Sequence, residues 1–386
     1  MSKSTLHYVT VATRSYLPAV AVLARSLVNL HADARITCYL AERDTDRSDD
    51  YKNLFEIVPI NQLKIPDLDN FIFQYEKLEL CCALKPYIVL HQLEKNTAEA
   101  VIYIDSDMKI YSPFEEIIKR SLQRGSVVLT PHLHTTKAAP DYLYILRSGI
   151  CNAGFMAFQN NDEAKQLLHW WCMRVKNNCI ADPYAGVLYD QRWLDLAIGL
   201  FPFIYIERHP GINVAYWNLH EKNMTNQDDV VMVDDKHPLC IFHFSGISED
   251  RLTKYQEEAA FAGSDTVLHE LVSEYRNDIR EMKNYYGEQQ AYSYSTFNDG
   301  SVISPVMREI IRLELAETRN PFNDKSRIIK SIPIDETEIW MHRISYLVNE
   351  RWKELMVAKA KLTQLWNHIV LGRIWRFWRN WINPNL

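Results

Sequence analysis

An α/β fold built on a mostly parallel central sheet is predicted by three observations on this chain of 386 residues. Short β-type runs alternate with helix-type patterns through roughly its first 250 residues, and strand–helix–strand repetition lays helices on the faces of a parallel sheet. The run Val101-Ile102-Tyr103-Ile104 is apolar throughout, as a strand covered on both faces must be. Hydrophobic residues make up 47% of the chain, enough to fill the core of one large domain or two ordinary ones.

Taken in order, Leu6–Ala12 is rich in β-branched and aromatic residues and reads as the first strand. Leu17, Val20, Ala21, Ala24, Leu27 and Val28 then recur at helical spacing. Strands are predicted at 35–40 and 55–59, a helix over 75–93, and further strands at 126–131, 152–158, 203–207, 230–234 and 239–244. Beyond residue 250 the pattern changes. Residues 255–285 read as a polar helix, and 286–335 carry turn signals at Asn298-Asp299-Gly300, Ser304-Pro305 and Asn320-Pro321. Residues 336–382 form one long helical pattern or two. The expected organisation is an α/β domain over 1–256, a mixed, partly helical accessory region over 257–335 and a helical tail over 336–386.

Composition narrows the function. The seven Cys show no CxxC pair, and they read as reduced thiols, several of them buried, of a cytoplasmic protein. The N-terminal residues show no apolar signal region, and no stretch reaches the ~18–20 apolar residues of a membrane span. Net charge is −6, distributed unevenly: residues 340–386 carry +6 and the first 339 carry −12. An acidic body does not suit nucleic acid.

The most informative local feature is Asp105-Ser106-Asp107, directly after the buried run 101–104. Ligands in open α/β sheets bind beyond the carboxyl ends of the strands, and paired carboxylates there suit Mg²⁺ or Mn²⁺; a solvated turn is the alternative. His243, in Cys240-Ile241-Phe242-His243-Phe244-Ser245-Gly246, also ends an apolar run, and is either a third ligand or a structural imidazole. Gly246 would let the backbone approach a phosphate. Asn152-Ala153-Gly154 stands at the mouth of a strand. Asp190-Gln191 opens a helix, where Asp190 alone reads as an N-cap. Asn, Asp and Gln are also the residues that hold sugar hydroxyls. Lys85 precedes Pro86 inside a helical pattern, an unusual place for a mere surface lysine.

These segments, in this order, resemble the GT-A glycosyltransferases, and most closely glycosyltransferase family 8 and its bacterial relatives. The likeness runs over residues 5–256 and rests on Val11-Ala12-Thr13-Arg14, Lys85, Asp105-Ser106-Asp107, Asn152-Ala153-Gly154, Asp190-Gln191 and His243-Phe244-Ser245-Gly246. It implies a Rossmann-like GT-A domain that binds a nucleotide sugar, usually UDP-linked. Asp105, Asp107 and His243 would hold Mn²⁺ or Mg²⁺, and Ala12, Thr13 and Arg14 would lie along the nucleoside. Lys85 and Asp105 would touch the donor's ribose or sugar, Asn152, Asp190 and Gln191 the transferred sugar, and Ser106, Ala153 and Gly154 would belong to the same nucleotide-sugar site. Asp190 and Gln191 would stand at the reacting centre of a configuration-retaining hexosyl transfer. The family's H-x-x-G-x-x-K ending is not reproduced: Glu249 occupies the lysine position, leaving Lys254 or Arg251 for the diphosphate beside Gly246. Trp217 reads as a core tryptophan, with stacking on a sugar as the alternative.

Six of the ten Trp lie in residues 340–386, interleaved with Arg373, Arg376 and Arg379 on an amphipathic pattern. This basic tail suits the cytoplasmic face of an anionic membrane, with packing on the body or in a homo-oligomer as the alternative. A glycan, glycolipid or protein acceptor is expected. A HAD-type phosphatase would place Thr or Val where Lys109 stands, and a sugar nucleotidyltransferase would need a glycine-rich loop where Val11–Tyr16 has none. A degenerate transferase fold that binds sugar nucleotides or scaffolds a membrane complex without turnover is the non-enzymatic alternative.

Overall fold

Apolar strands of this kind need cover on both faces, and in the structure, a computed structural model, helices supply it. Residues 4–44, 51, 53–137, 142–182, 186–246, 265–286, 291–313 and 318–331 are described. The chain divides into two units, one through Lys325 and one from Ser326. The second is described only over residues 326–331, and the first is the subject below. Arg251, Lys254 and the Trp-rich tail over 336–386 lie outside the described residues.

The strands are β1 (Ser4–Ala12), β2 (Ile36–Leu40), β3 (Glu56–Pro59), β4 (Ala98–Ile104), β5 (Met108–Ile110), β6 (Val127–Pro131) and β7 (Cys151–Gln159). They continue with β8 (Ala181–Asp182), β9 (Val187–Leu188), β10 (Ile204–Ile206), β11 (Met224–Gln227), β12 (Val230–Val233), β13 (His237–Pro238) and β14 (Ile241–His243). The helices are α1 (Leu17–Leu30), α2 (Leu68–Phe73), α3 (Lys77–Glu94), α4 (Glu115–Leu122), α5 (Tyr142–Ser148), α6 (Asp162–Val175), α7 (Gln191–Leu200), α8 (Asp265–Tyr286) and α9 (Pro305–Arg312).

The central sheet has seven strands in the order β10-β6-β7-β4-β1-β2-β3. Four of its six pairings are parallel, as the sequence predicts, and β7 alone runs against both of its neighbours. Val101, Ile102, Tyr103 and Ile104 of β4 are all fully buried. That reversed strand matters, because its N-terminal end meets the carboxyl end of β4.

The predicted strands at 230–234 and 239–244 form, but outside the central sheet. β12 lies between β11 and β13 in an antiparallel sheet, and β14 pairs antiparallel with β5. The local cause is two pairs of aspartates, Asp228-Asp229 and Asp234-Asp235, all at positive φ between 48° and 65°. Such pairs make tight hairpin turns, which can join only antiparallel strands. Ser304-Pro305, read as a turn, instead begins α9. The Ser304 side chain accepts from Met307 N at 3.4 Å, and Pro305 sits where a helix needs no N–H.

The polar helix read over 255–285 is described from Asp265, and it buries Leu268, Leu271, Val272, Tyr275 and Met282. Lys109 of β5 reaches Glu274 at 2.7 Å and Asp278 at 2.6 Å, and the Phe244 ring stacks on Tyr275 at 3.9 Å and 3°. Farther on, buried Arg308 donates to the carbonyls of Phe73, Tyr75 and Tyr294 at 2.7–2.8 Å. Glu42 accepts from the backbone N–H of Arg14 at 3.0 Å and of Ser293 at 2.8 Å. All seven cysteines are free and all but Cys81 are buried, in keeping with the sequence reading. Among the described residues no helix is long and apolar enough to cross a membrane.

Candidate active site

Three strand contacts gather the chemistry at one edge of the sheet. β4 ends at Ile104 and delivers Asp105, whose N–H donates to the Gly154 carbonyl of the reversed β7 at 2.8 Å. The β5–β14 ladder sets Met108 opposite His243, and the Phe244 N–H donates to the Asp107 carbonyl at 2.8 Å. Thr13 and Arg14 follow β1, which pairs in parallel with β4, so they stand on the same edge. Segments far apart in sequence thus converge around Asp105.

On one side of Asp105 is an open grouping. His243 Nε2 lies 3.1 Å from Asp107 Oδ1 and 3.9 Å from Asp105 Oδ2, and one ligand atom from each of the three residues lies within 4.8 Å of the others. Two carboxylates and an imidazole suit a hard divalent cation such as Mn²⁺ or Mg²⁺. Burial pushes the Asp107 carboxyl up, but the charge and hydrogen bond of His243 outweigh it and hold Asp107 below the usual range. The His243 ring is seated edge-on against Trp217 at 5.2 Å. It also passes so close to Gly154 that a Cβ there would come within 2.6 Å of its Cε1. This close approach accounts for the glycine of Asn152-Ala153-Gly154. Trp217 is buried, as the core reading expects.

On the other side is a closed grouping. Lys85, only 5% exposed, reaches Asp105 Oδ1 at 3.2 Å, Asp190 Oδ2 at 3.4 Å and the Ala153 carbonyl at 3.1 Å. Burial works against its charge, yet the two carboxylates prevail and hold the ammonium above the ordinary lysine range. Asp190 is 2% exposed. Burial raises its pKa, and Lys85 offsets that only in part. Asp190 stands at the N-cap position of α7, as expected, but its side chain makes no capping hydrogen bond. Tyr103, two residues before Asp105 on the same face of β4, donates its hydroxyl to Asp105 Oδ1 at 2.6 Å.

Asn152 and Gln191 belong to a run of amides. Asn152 Nδ2 lies 3.4 Å from Gln191 Oε1, and Gln191 Nε2 donates to the Ser148 carbonyl at 2.8 Å. Asn152 Oδ1 accepts from Gly154 N at 3.0 Å and from Asn213 Nδ2 at 3.2 Å. Ala12, Ser106 and Ala153 are buried at the strand ends, and Gly246 sits at φ 62°, a conformation glycine adopts freely. Tyr103 and Asn213 were not singled out from the sequence. An asparagine set in the apolar run Ile212-Asn213-Val214-Ala215 is the available signal, because a buried amide needs partners.

No protein-family profile matches the chain. Two proteins of Bacillus subtilis (strain 168) are similar in sequence. YfnF is 28% identical over 280 residues, spanning 69% of this chain and 90% of YfnF. YfnD is 26% identical over 195 residues, spanning 50% of this chain and 61% of YfnD. Among solved structures, the chain is similar to the galactosyltransferase LgtC in complex with donor and acceptor sugar analogs, at TM-score 0.42 and 13% identity over 67% of this chain and 95% of that one. It is also similar to the glycosyltransferase GlyE of Streptococcus pneumoniae TIGR4, at TM-score 0.40 and 12% identity over 70% of this chain and 64% of that one. A third is a glycosyltransferase that acts in glycosylation of the major capsid of PBCV-1, at TM-score 0.39 and 12% identity over 67% of this chain and all of that one.

Proposed function

We propose that the chain is a GT-A glycosyltransferase that moves a hexose from a nucleotide sugar, UDP-linked, to an acceptor hydroxyl with retention of configuration. The observation that carries this reading is the meeting of Lys85, Asp105, Asp107, Asn152, Asp190, Gln191 and His243 at one sheet edge. Asp105, Asp107 and His243 would hold Mn²⁺ or Mg²⁺, which when bound supplies positive charge to a departing diphosphate. Lys85 remains an ammonium beside Asp105 and Asp190 and offers a second positive charge to the donor. Asn152 and Gln191 orient the sugar through their amides, and Asp190 lies next to Lys85, where a buried carboxylate opposes developing positive charge at the anomeric carbon. The bond from that carbon to the diphosphate oxygen breaks, the bond to the acceptor oxygen forms, and the acceptor's proton passes to the leaving phosphate.

The acceptor side is proposed at α5. Leu143, Leu146 and Ile150 are 65%, 71% and 55% exposed there, and Gln191 bonds the carbonyl of neighbouring Ser148. A lipid-linked carbohydrate is the acceptor such a surface favours, and the basic Trp-rich tail would bring the enzyme to the membrane that holds it. Liposome flotation of the full chain, compared with a chain lacking residues 350–386, tests the tail; equal flotation refutes it.

The first experiment screens UDP-, GDP-, TDP- and CMP-sugars for hydrolysis with Mn²⁺ or EDTA, beside Asp107→Ala. Slow UDP release from one donor, lost with EDTA and in the variant, supports the reading. No turnover and no metal-dependent binding of any donor overturns it and favours a non-catalytic binding role.

A further inference from the structure

Asn213 is fully buried, holds φ 55°, and touches both halves of the site. Its Oδ1 lies 3.2 Å from His243 Nδ1, and its Nδ2 lies 2.8 Å from Thr130 Oγ1 and 3.2 Å from Asn152 Oδ1. The direction of each bond in this group can be deduced, because backbone groups anchor its ends. The Ser148 carbonyl can only accept, so Gln191 turns Nε2 toward it and Oε1 toward Asn152. The Gly154 N–H can only donate, so Asn152 presents Oδ1 to it and Nδ2 to Gln191. Thr130 gives its own hydroxyl hydrogen to the Phe155 carbonyl at 3.2 Å, so its oxygen accepts. Asn213 therefore faces two acceptors, Thr130 Oγ1 and Asn152 Oδ1, and must turn Nδ2 to them. Its Oδ1 is left to receive the Nδ1–H of His243.

We infer that Asn213 is a positioning residue that fixes the histidine tautomer of the metal site. With its hydrogen committed to Asn213, Nδ1 leaves Nε2, the atom facing Asp105 and Asp107, to supply the electron pair. The same carboxamide holds Asn152 with its Nδ2 toward Gln191, so one buried amide sets the metal-facing histidine and the sugar-facing asparagine together. This inference rests on the metal-dependent reading above. An outer partner of a ligating histidine is worth ~10–100-fold in metal affinity.

The test is Mn²⁺ binding by titration calorimetry, together with the visible absorption spectrum of the Co²⁺-loaded protein. Asn213→Gly and Asn213→Asp both suit positive φ. Asn213→Gly is expected to weaken Mn²⁺ binding ~10–100-fold and alter the Co²⁺ bands. Asn213→Asp keeps an oxygen for the Nδ1–H but sets a second oxygen against the acceptors Thr130 Oγ1 and Asn152 Oδ1, so it is expected to bind Mn²⁺ more weakly than the parent chain and more tightly than Asn213→Gly. If Asn213→Gly does not fold, Thr130→Val removes the acceptor that orients the amide and is expected to weaken binding several-fold. Affinities and spectra unchanged in a folded Asn213→Gly, or in Thr130→Val where that variant stands in, overturn the inference while leaving the metal-dependent reading intact. A parent chain that binds neither ion overturns that reading, and the inference with it.

Discussion

Asp105 is shared by two groupings that handle charge in opposite ways. Toward Lys85 and Asp190 the chain supplies its own cation and surrounds it with two carboxylates and a carbonyl. Toward Asp107 and His243 it supplies oxygen and nitrogen electron pairs. On the function proposed above, the closed grouping is a stability element and the open one receives charge from outside. A buried ion cluster away from the site behaves like the closed grouping. Glu221 accepts from the His134 N–H at 2.8 Å and the Thr135 N–H at 2.9 Å, with the His134 ring 3.7 Å away.

This contrast can be broken most directly at Lys85. Lys85→Met leaves Asp190 buried without its cation, and such a loss costs ~3–5 kcal/mol. Urea unfolding should show that loss, and Asp190→Asn added to it should recover a large part. A Lys85→Met chain as stable as the parent would show the grouping is not closed at all.

Glu221→Gln comes next and tests whether closure outside the site follows the same rule. Burial pushes the Glu221 carboxyl up, but the His134 side chain and the two backbone N–H groups bring it down to about 2. Lowering from an ordinary 4.5 stabilises the fold at neutral pH. Because the folded value is the depressed one, that stability is whole above pH 4.5 and fades as pH falls toward about 2. The gap between parent and Glu221→Gln in urea midpoints should therefore narrow between pH 6 and pH 3; a constant gap contradicts it.

Gly154→Ala probes the open side by volume. Its Cβ would meet His243 Cε1 at 2.6 Å and Asn152 Oδ1 at 2.7 Å, so about 1–3 kcal/mol of stability should go, with weaker Mn²⁺ binding. The smallest effect is expected at Asp107. Asp107→Asn should cost less than Lys85→Met without metal, because the Asp107 carboxylate is partly exposed whereas that of Asp190 is sealed. Its signature is loss of the rise in melting temperature that Mn²⁺ is expected to give the parent. A large metal-free loss would place Asp107 in the same class as Lys85.

Much of this was legible locally. Val101–Ile104 followed by two acids is a pattern of neighbours along the chain, and so are the strands and the amphipathic helices. Lys85 beside a mid-helix proline carried its own signal, since a proline there had to be tolerated for a reason. What was not legible depends on register across strands. Nothing in Cys151–Gln159 says that β7 reverses, yet the reversal brings Gly154 to Asp105. Asp190 looked like a cap because its environment is made by Lys85, more than a hundred residues earlier. Asn213 acts through three side chains drawn from three other segments, and no spacing rule connects them.

The fastening of α8 bears on how such a protein can change through descent. Tyr275 lies flat on Phe244, next to His243, and Glu274 and Asp278 neutralise Lys109, two residues past Asp107. A segment tied so near Asp107 and His243 cannot be exchanged like an appended module. A recombinant gene that replaced it would need to bring an aromatic ring for Phe244 and acids for Lys109, or leave a buried ammonium with no counter-charge. The part that follows the sheet in the chain is therefore inherited with the sheet, and variation between related chains should concentrate instead on exposed faces such as α5.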